Sequence, residues 1–282
     1  MALYGASKSP KAGLTIAGID LQRGFHVMAG PCSVESEDQV HRTAAHLAAN
    51  GVRFLRGGAF KPRTSPYSFQ GLGEAGLQLL AEAANRNGML TVSEVMDVET
   101  LPLVGSYVDI LQVGARNMQN YSLLKALAKQ TKPVLLKRGM SATIEEFLLA
   151  AEYVLQGNDR VILCERGVRS FDPLTRNMLD LAGVALLRQM SRLPIIVDLS
   201  HSTGRTDIIL PLARACVALG AEGMMVEVHP DPKAALCDAV QALSFDDASA
   251  LLAEISPWVG LRAKLRAEHL TTLLPKRAAS AG

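Results

Sequence analysis

The sequence contains no apolar run near the roughly 18–20 residues that a membrane-spanning helix needs. Its N-terminus also lacks the continuous apolar core of a signal peptide. Aromatic side chains are scarce, with one tryptophan, five tyrosines and seven phenylalanines among 282 residues. Apolar residues make up 49% and charged residues 20%, which is typical of a soluble globular protein with an aliphatic core. A membrane partner is therefore not expected.

Neither charge nor cysteine is concentrated in any part of the chain. The formal net charge of +2 gives no support for nucleic-acid binding, because any basic surface would have to be local. The four cysteines, at positions 32, 164, 216 and 237, are scattered and form no CxxC pair. A disulfide framework is not expected, and the predicted location is a reducing cytoplasm.

Short apolar runs recur along the chain, and segments with helical periodicity separate them. Eight such units without a polar linker predict a single (β/α)8 barrel, a fold that typically has about 250 residues. We expect an irregular N-terminal arm over 1–17, the barrel over 18–268 and a C-terminal tail over 269–282. The runs are HVMAGPC (26–32), VRFLRGG (52–58), LTVSEVM (90–96), VDILQVGA (108–115), KPVLLKRG (132–139), RVILCERG (160–167), LPIIVDLSH (193–201) and EGMMVEVH (222–229).

Each run ends in a polar or reactive side chain. The carboxyl ends of barrel strands meet at one face, where the active sites of this fold lie. A solvated surface does not explain why every run ends this way. The residues at these ends are Cys32, Arg56, Glu94, Arg116, Lys137, Glu165, Arg166, His201 and Glu227.

Six of the residues at or after these strand ends are cations. Clustered cations repel one another unless anions bind between them, and guanidinium groups match carboxylates and phosphates. The cluster therefore predicts phosphorylated acids as ligands. Pairing with surface carboxylates is the alternative, which is common for one arginine and harder to satisfy for six. The cations are Arg56, Lys61, Arg63, Arg116, Lys137 and Arg166.

A second group offers ligands for a divalent metal ion. Its members come from the first, seventh and eighth strand ends and the following loop, which become neighbours when a barrel closes. Mixed sulfur, nitrogen and oxygen donors suit Mn²⁺, Fe²⁺, Co²⁺ or Zn²⁺. A lone cysteine is more often a packing residue, and His229 and Cys237 compete as ligands on position alone. The candidate ligands are Cys32, His201, Glu227 and Asp238.

Residues 71–76 (GLGEAG) match the GxGxxG pattern of dinucleotide-binding proteins. That pattern must directly follow a strand, whereas the polar loop KPRTSPYSFQ (61–70) precedes it here. A loop that opens into a helix from Glu74 explains these glycines, so NAD binding is not predicted. Ser36 and Asp207 are predicted helix caps elsewhere in the chain.

Eight longer motifs then occur in order, from about Gly24 to Leu243. In this order they resemble the 3-deoxy-D-arabino-heptulosonate 7-phosphate (DAHP) synthases, which condense phosphoenolpyruvate with erythrose 4-phosphate at the start of the shikimate pathway. The motifs are AGPCSVES (29–36), GGAFKPRTSPYSFQGLG (57–73), SEVMD (93–97), QVGARNMQN (112–120), LLKRGM (135–140), CERGVRSFD (164–172), DLSHSTGR (198–205) and VEVHPDPKAAL (226–236).

The resemblance implies roles for individual residues. It implies metal ligation by Cys32, His201, Glu227 and Asp238. It implies that the groups which bind phosphoenolpyruvate are Arg56, Lys61, Arg116, Lys137, Arg166 and the Ala115 amide. It also implies that the groups which line the aldose phosphate site are Lys61, Pro62, Arg63, Thr64 and Ser65.

Four residues are candidates for the chemistry itself. Lys61 is suited to donate a proton where negative charge develops on the aldehyde oxygen, beside the metal ligand His201. Glu94 and Lys137 are candidates for positioning and deprotonating the water that adds to phosphoenolpyruvate. A Schiff base at Lys137 is a weaker alternative.

Two stretches depart from the usual pattern of the close relatives. DLSHSTGR stands where they show DPSHGTGK, and CDAVQAL stands where they show SDGPQSL. Asp238 keeps its spacing from Glu227, but Cys237 and Ala239 are expected to alter the loop. No second domain with a regulatory role is expected, and the family's habit predicts a homodimer or homotetramer. The alternatives are 3-deoxy-D-manno-octulosonate 8-phosphate synthase, which uses arabinose 5-phosphate, and a non-catalytic barrel scaffold.

Overall fold

The computed structural model describes residues 13–61, 65 and 67–278, with side chains described as far as residue 267. A short hairpin of β1 (Thr15–Ile16) and β2 (Ile19–Asp20) precedes eight parallel strands that close into a barrel in chain order. Each of the eight predicted runs contains one of these strands, so the predicted (β/α)8 barrel is confirmed. The barrel strands are β3 (His26–Gly30), β4 (Phe54–Arg56), β5 (Leu90–Glu94), β6 (Ile110–Val113), β7 (Val134–Lys137), β8 (Val161–Glu165), β9 (Ile195–Asp198) and β10 (Gly223–Glu227).

Helices connect successive strands and cover the outside of the barrel. None of the helices in the described part of the chain combines the length and the apolar character that crossing a membrane requires. They are α1 (Glu37–Ala49), α2 (Glu74–Arg86), α3 (Leu101–Tyr107), α4 (Tyr121–Leu127), α5 (Ile144–Leu155), α6 (Leu181–Met190), α7 (Leu199–Thr203), α8 (Ile209–Leu219) and α9 (Phe245–Ala278).

Helix ends follow local side-chain chemistry. Ser36 caps α1, as predicted, because its hydroxyl accepts a hydrogen bond from the Gln39 amide at 3.2 Å. The predicted cap at Asp207 is wrong, since α8 begins at Ile209 without a side-chain cap. The Asp207 carboxylate instead accepts a hydrogen bond from Arg205 at 2.6 Å. This contact occupies a carboxylate oxygen that would otherwise accept a hydrogen bond from a helix amide.

The barrel interior is filled by side chains and is not a channel. Met28, Phe54 and Met225 belong to one buried cluster together with Leu14 and Ile16 from the N-terminal segment. Full burial of an apolar side chain of this size contributes about 1.5–3 kcal/mol. Because side chains fill the interior, there is no room for a site inside the barrel. The functional groups lie instead at the carboxyl ends of the strands.

The N-terminal segment differs from the predicted irregular arm where it is described. Ala17 (φ 46°) and Gly18 (φ 81°) form the two-residue turn between β1 and β2. Positive φ at both turn residues matches the twist of a tight hairpin. Burial of Leu14 and Ile16 in the barrel interior then holds this hairpin in place.

The last helix also differs from the prediction. The sequence predicts that the barrel ends at residue 268 and a tail follows, whereas α9 continues to Ala278. Between Gly260 and Pro275 the sequence contains no glycine or proline that would end the helix, and good helix formers dominate. The boundaries at 17 and 268 remain proposals about domain organisation.

Candidate active site at the barrel mouth

A cavity of about 290 Å³ opens at the carboxyl ends of the strands. It brings together residues from both predicted groups, the cations and the metal ligands. The side chains and backbone that line it belong to Lys61, Ser65, Ser68, Glu94, Gly114, Ala115, Arg116, Lys137, Met140, Arg166, Arg176, His201, Cys237 and Asp238.

The four predicted metal ligands form one cluster. Each offers one donor atom, and these atoms all lie within 4.8 Å of one another; the residues are Cys32, His201, Glu227 and Asp238. The cluster forms because β3, β9 and β10 are neighbours in the closed barrel. One sulfur, one imidazole nitrogen and two carboxylates fit a divalent transition metal ion, so the donor chemistry agrees with the prediction.

Asp198 orients the imidazole of His201. The Asp198 carboxylate is fully buried and lies 2.8 Å from Nδ1 of His201, while Nε2 faces Glu227 at 3.2 Å. Burial acts to raise the pKa of Asp198, but His201 and Lys137 outweigh it and hold the pKa well below its ordinary value. A charged carboxylate at Nδ1 directs Nε2 toward the cluster, as is usual for metal-binding histidines.

Arg56 lies behind the cluster and is not among the described residues that line the cavity. Its guanidinium donates hydrogen bonds to Glu227 and to the Pro31 carbonyl, both at 2.9 Å. Burial acts to raise the pKa of Glu227, but His201, Arg56 and Lys61 outweigh it and lower the pKa. The geometry therefore gives Arg56 a contact with a metal ligand, and its contact with phosphoenolpyruvate stays a prediction.

Asp238 is held on an unusual piece of backbone. Its φ of 51° is in the left-handed region, which aspartate tolerates better than most residues. Its carboxylate accepts hydrogen bonds from Gln241 at 3.1 Å and Arg176 at 3.4 Å. Ala239 begins a short 3-10 helix and, in the described part of the chain, is not among the non-glycine residues with positive φ, so an alanine at this position does not strain the loop.

Arg166 is a buried cation on the cavity wall. Its side chain lines the cavity, and its Nη1 atom has no hydrogen-bond partner among the described residues. Burial lowers the pKa of Arg166. An orphaned guanidinium nitrogen costs free energy unless a ligand binds it, so this atom fits a phosphate or carboxylate oxygen. Arg116 and Ala115 line the same cavity.

Lys61 lies between the metal cluster and the cavity. Its ammonium donates a hydrogen bond to the Cys32 carbonyl at 3.0 Å and contacts Cys32 Sγ at 3.1 Å. Burial acts to lower the pKa of Lys61, but the sulfur atoms of Cys32 and Cys237 outweigh it and raise the pKa to about 12. The Lys61 ammonium therefore lies beside the cluster and on the cavity surface, where it is placed to serve as an acid.

Lys137 and Glu94 both lie on the cavity wall. This position is compatible with their predicted role, which is to position and deprotonate the water that adds to phosphoenolpyruvate. Lys137 is ion-paired with Asp198 at 2.5 Å. A Schiff base needs a neutral amine, which would leave that buried carboxylate without its cation, so the geometry disfavours this alternative. Glu94 packs against Gly114, where a Cβ would lie only 2.1 Å from the carboxylate oxygen.

Three of the predicted residues, Pro62, Arg63 and Thr64, lie outside the described residues. Ser65 is described and lines the cavity. Glu165, another strand end, has a structural role instead. Its carboxylate accepts hydrogen bonds from Arg138 at 2.9 Å and from the Gly167 amide at 2.6 Å.

Sequence reasoning missed two contributors to the site. Asp198 had a usable signal, since it ends a barrel strand and precedes His201 by three residues, which places both on one side of α7. Arg176 had none, because it lies in the long loop between β8 and α6, where no periodicity fixes its position. Its contacts with Asp238 and with Gln241, the latter at 2.9 Å, appear only in three dimensions.

Asp198→Asn should weaken metal binding by about 10–100-fold, because the loss of a carboxylate behind a metal-binding histidine typically costs this much. The dissociation constant for Mn²⁺ or Zn²⁺, measured by calorimetry, checks this. Asp180→Asn is the matched control, since Asp180 pairs with Arg138 and caps α6 away from the cluster. An unchanged dissociation constant in folded Asp198→Asn contradicts the orienting role.

The fold and the site together define a class of protein: a (β/α)8 barrel whose mouth combines four clustered donor groups that could hold a metal ion with several cationic side chains. A sequence model of the DAHP synthetase I family matches residues 11–257, and the chain belongs to this family.

Known relatives agree with this assignment. The chain is 56% identical over 223 residues to phospho-2-dehydro-3-deoxyheptonate aldolase of Thermotoga maritima, covering 79% of this chain and 66% of that protein. It thus spans slightly less than two thirds of that relative's length. It is 33% identical over 241 residues to 2-dehydro-3-deoxyphosphooctonate aldolase of Acidithiobacillus ferrooxidans, covering 79% of this chain and 85% of the relative.

Solved structures show the same fold. The crystal structure of the Thermotoga maritima DAHP synthase is 53% identical with a TM-score of 0.81, covering 84% of this chain and 70% of that one. A truncated form of 3-deoxy-D-arabino-heptulosonate 7-phosphate synthase from the same organism is 48% identical with a TM-score of 0.79. That match covers 84% of this chain and 87% of the truncated chain.

Proposed function

We propose that this protein condenses phosphoenolpyruvate with erythrose 4-phosphate and water, giving 3-deoxy-D-arabino-heptulosonate 7-phosphate and inorganic phosphate. This is the first step of the shikimate pathway. The observation that carries the proposal is that one cavity joins a four-donor metal cluster to a set of cations. The 56% identity to a phospho-2-dehydro-3-deoxyheptonate aldolase supports the same reaction.

In this proposal phosphoenolpyruvate binds against the part of the cavity lined by Arg116, Lys137 and Arg166, which we call the cationic wall. Arg166 supplies a guanidinium nitrogen without a protein partner, and Arg116 and the Ala115 backbone lie on the same cavity surface. Charge-assisted hydrogen bonds from such groups are stronger than neutral ones. The buried position of Arg166 also reduces competition from water for the phosphate and carboxylate oxygens.

Lys61 acts on the aldehyde. Carbon 3 of phosphoenolpyruvate attacks the aldehyde carbon of the sugar phosphate, and negative charge develops on the aldehyde oxygen. The Lys61 ammonium is protonated and faces the region between the cluster and the cationic wall. It is placed to donate a proton to that oxygen as the carbon–carbon bond forms.

Water adds at carbon 2 of the phosphoenolpyruvate unit before its bond to phosphate breaks. Glu94 is the base that accepts the water proton in this proposal, because its carboxylate lies on the cavity wall. Lys137 holds the water through its ammonium, which Asp198 fixes in place. Release of inorganic phosphate then leaves the keto group of the product.

A divalent ion held by Cys32, His201, Glu227 and Asp238 supplies Lewis-acid chemistry when bound. The hydrogen bond with Cys237 and burial raise the pKa of the Cys32 thiol well above its ordinary value. The cysteine proton must therefore leave when a metal binds, as it does at other cysteine sites. Which of the candidate metals is native stays open.

The competing functions are separated by one assay of phosphate release. Phosphoenolpyruvate is supplied with erythrose 4-phosphate or with arabinose 5-phosphate, and free phosphate is measured. We expect rapid release with erythrose 4-phosphate. Faster release with arabinose 5-phosphate supports the octulosonate alternative, and no release with either sugar supports a non-catalytic scaffold.

Arg166→Ala should raise KM for phosphoenolpyruvate by about 10–100-fold, the value of one charge-assisted contact of about 1.5–3 kcal/mol. Arg63→Ala should instead raise KM for erythrose 4-phosphate. Arg63→Lys should recover only part of the lost affinity, because lysine keeps the charge but lacks the two parallel N–H donors of the guanidinium group. Arg42→Ala is the control, since Arg42 pairs with Asp38 on the surface of α1. If each variant raises KM for phosphoenolpyruvate and KM for erythrose 4-phosphate equally, Arg166 and Arg63 do not bind different substrates, and the proposal is contradicted.

We also propose a homodimer or homotetramer in the cytoplasm. Exposed apolar side chains on α9, which include Trp258, Leu261 and Leu265, support assembly through this helix. The four cysteines are free, including the neighbouring Cys32 and Cys237, which supports a reducing compartment.

A further inference from the structure

A buried carboxylate outside the cavity joins two loops at the barrel mouth. Glu35 lies between β3 and α1, three residues after Cys32. Its side chain is 9% exposed and that of its partner His229 is 7% exposed. Neither is among the described residues that line the cavity. Burial of a carboxylate costs free energy that hydrogen bonds must offset, so the contacts of Glu35 indicate what it holds in place.

Three groups from two loops surround the Glu35 carboxylate. Its Oε1 atom accepts a hydrogen bond from the Ser33 hydroxyl at 3.2 Å and another from the Leu236 backbone amide at 3.0 Å. Its Oε2 atom lies 3.3 Å from Nε2 of His229. Ser33 belongs to the loop after β3, whereas His229 and Leu236 belong to the loop after β10. One carboxylate therefore connects both loops.

His229 anchors the start of the loop after β10. Its Nδ1 atom accepts a hydrogen bond from the Asp231 amide at 3.1 Å, so the ring proton lies on Nε2, which faces Glu35. The His229 amide donates to the Leu243 carbonyl at 3.0 Å. Position in the sequence left His229 as a competing metal ligand, but it is not among the donors that cluster in the described chain. Both ring nitrogens are instead used to hold the loop.

Asp238, at the other end of this loop, needs support because of its backbone. Its φ of 51° is disfavoured for a residue other than glycine and persists where the surroundings hold it. Gln241 holds the Asp238 carboxylate at 3.1 Å from the C-terminal side. On the N-terminal side, the hydrogen bond between Glu35 and the Leu236 amide fixes the chain two residues before Asp238.

We propose that Glu35 is a positioning residue of the metal site, which holds Asp238 beside the other donors by joining the loop of residues 229–238 to the loop that carries Cys32. The inference rests on the proposed use of a metal ion. Glu35 acts through the chain from Leu236 to Asp238 and not by contact with the ion. Without this anchor the loop adopts its metal-binding arrangement less often, and the apparent dissociation constant rises in proportion.

The experiment compares the full-length protein with Glu35→Ala in two measurements that involve no substrate. The dissociation constant for Zn²⁺, measured by calorimetry, should rise about tenfold if the binding arrangement is populated about one-tenth of the time. Hydrogen exchange of the metal-free proteins is measured by mass spectrometry, and residues 229–238 should exchange faster in the variant. Glu37→Ala is the matched control, since Glu37 is an exposed carboxylate in the first turn of α1.

A double-mutant cycle shows whether Glu35 acts through Asp238. Asp238→Ala removes the donor itself and should weaken Zn²⁺ binding on its own. If Glu35 acts by holding Asp238, adding Glu35→Ala to that variant should change the dissociation constant by less than about twofold. A general loosening of the barrel would instead add its full effect in the double variant.

Glu35→Gln decides the same question if Glu35→Ala does not fold. Glutamine keeps an oxygen for the Leu236 amide but turns its NH₂ group toward the Nε2–H group of His229, so two donors face each other. Zn²⁺ binding should weaken, by less than in Glu35→Ala.

The proposal is overturned if the folded Glu35 variants bind Zn²⁺ like the original protein, or if exchange over 229–238 is unchanged. Additive effects of Glu35→Ala and Asp238→Ala also overturn it. Failure of the original protein to bind Zn²⁺ would contradict the proposed metal site as well, so the two failures can be told apart.

Discussion

Removing divalent metal should lower the rate of phosphate release from phosphoenolpyruvate by more than about a hundredfold. A bound metal ion contributes several kcal/mol to stabilising charge in a transition state, and each 1.36 kcal/mol corresponds to about tenfold in rate. The donors that would hold the ion are Cys32, His201, Glu227 and Asp238, whose ligand atoms all lie within 4.8 Å of one another. Mn²⁺, Fe²⁺, Co²⁺ or Zn²⁺ should restore turnover to chelated protein, and steady-state assays with metal analysis check both changes.

A thiol variant makes the metal experiment specific. Cys32→Ala should lose metal affinity and keep its fold, because Cys32 lies at the barrel mouth, outside the interior cluster. Cys216→Ala is the matched control and should bind metal like the original protein. A phosphine reductant is kept in all samples so that the four cysteines stay reduced. Full activity in demonstrably metal-free protein contradicts the assignment.

Lys61→Met should lower kcat by about 10²–10⁴-fold, the usual contribution of a positioned proton donor. Methionine keeps most of the length of the side chain and removes the ammonium that contacts Cys32. The proposed proton transfer occurs in the transition state, so kcat should fall by more than KM rises. Steady-state kinetics with both substrates varied measure this split.

Lys125→Met is the control for loss of a lysine, since Lys125 lies on α4 near the Tyr153 ring and away from the cavity. Its kinetic constants should match those of the original protein. If Lys61→Met changes only KM, Lys61 binds substrate and does not donate the proton. Circular dichroism of both variants shows whether the barrel is intact.

The barrel and its reactive face could be read from the sequence because two physical regularities act together. Buried parallel strands appear as short apolar runs, and the carboxyl ends of barrel strands always meet. Glu227 ends β10, which pairs with β3, and His201 lies in α7 directly after the next strand, β9. Their proximity to Cys32 therefore follows from the order of the strands. No knowledge of loop conformation was needed for these three residues.

Other parts of the site depend on paths that the sequence does not specify. The contact between Cys237 and Cys32 requires the loop after β10 to turn back across the mouth, with Asp238 in left-handed backbone. Arg56 ends β4 as Lys137 ends β7, yet Arg56 pairs with Glu227 because the two side chains meet below the cavity. Position along a strand therefore predicts that a side chain lies at the carboxyl-end face of the barrel, but not which group it contacts there.

The central claim is that one cavity holds both the metal ion and phosphoenolpyruvate, and a crystal structure with Mn²⁺ and phosphoenolpyruvate tests it most directly. The account predicts an anomalous Mn²⁺ peak at the cluster formed by Cys32 and its three partner ligands, with the phosphate of phosphoenolpyruvate against Arg166 and Arg116. A Mn²⁺ peak elsewhere, or phosphoenolpyruvate bound outside this cavity, contradicts the account.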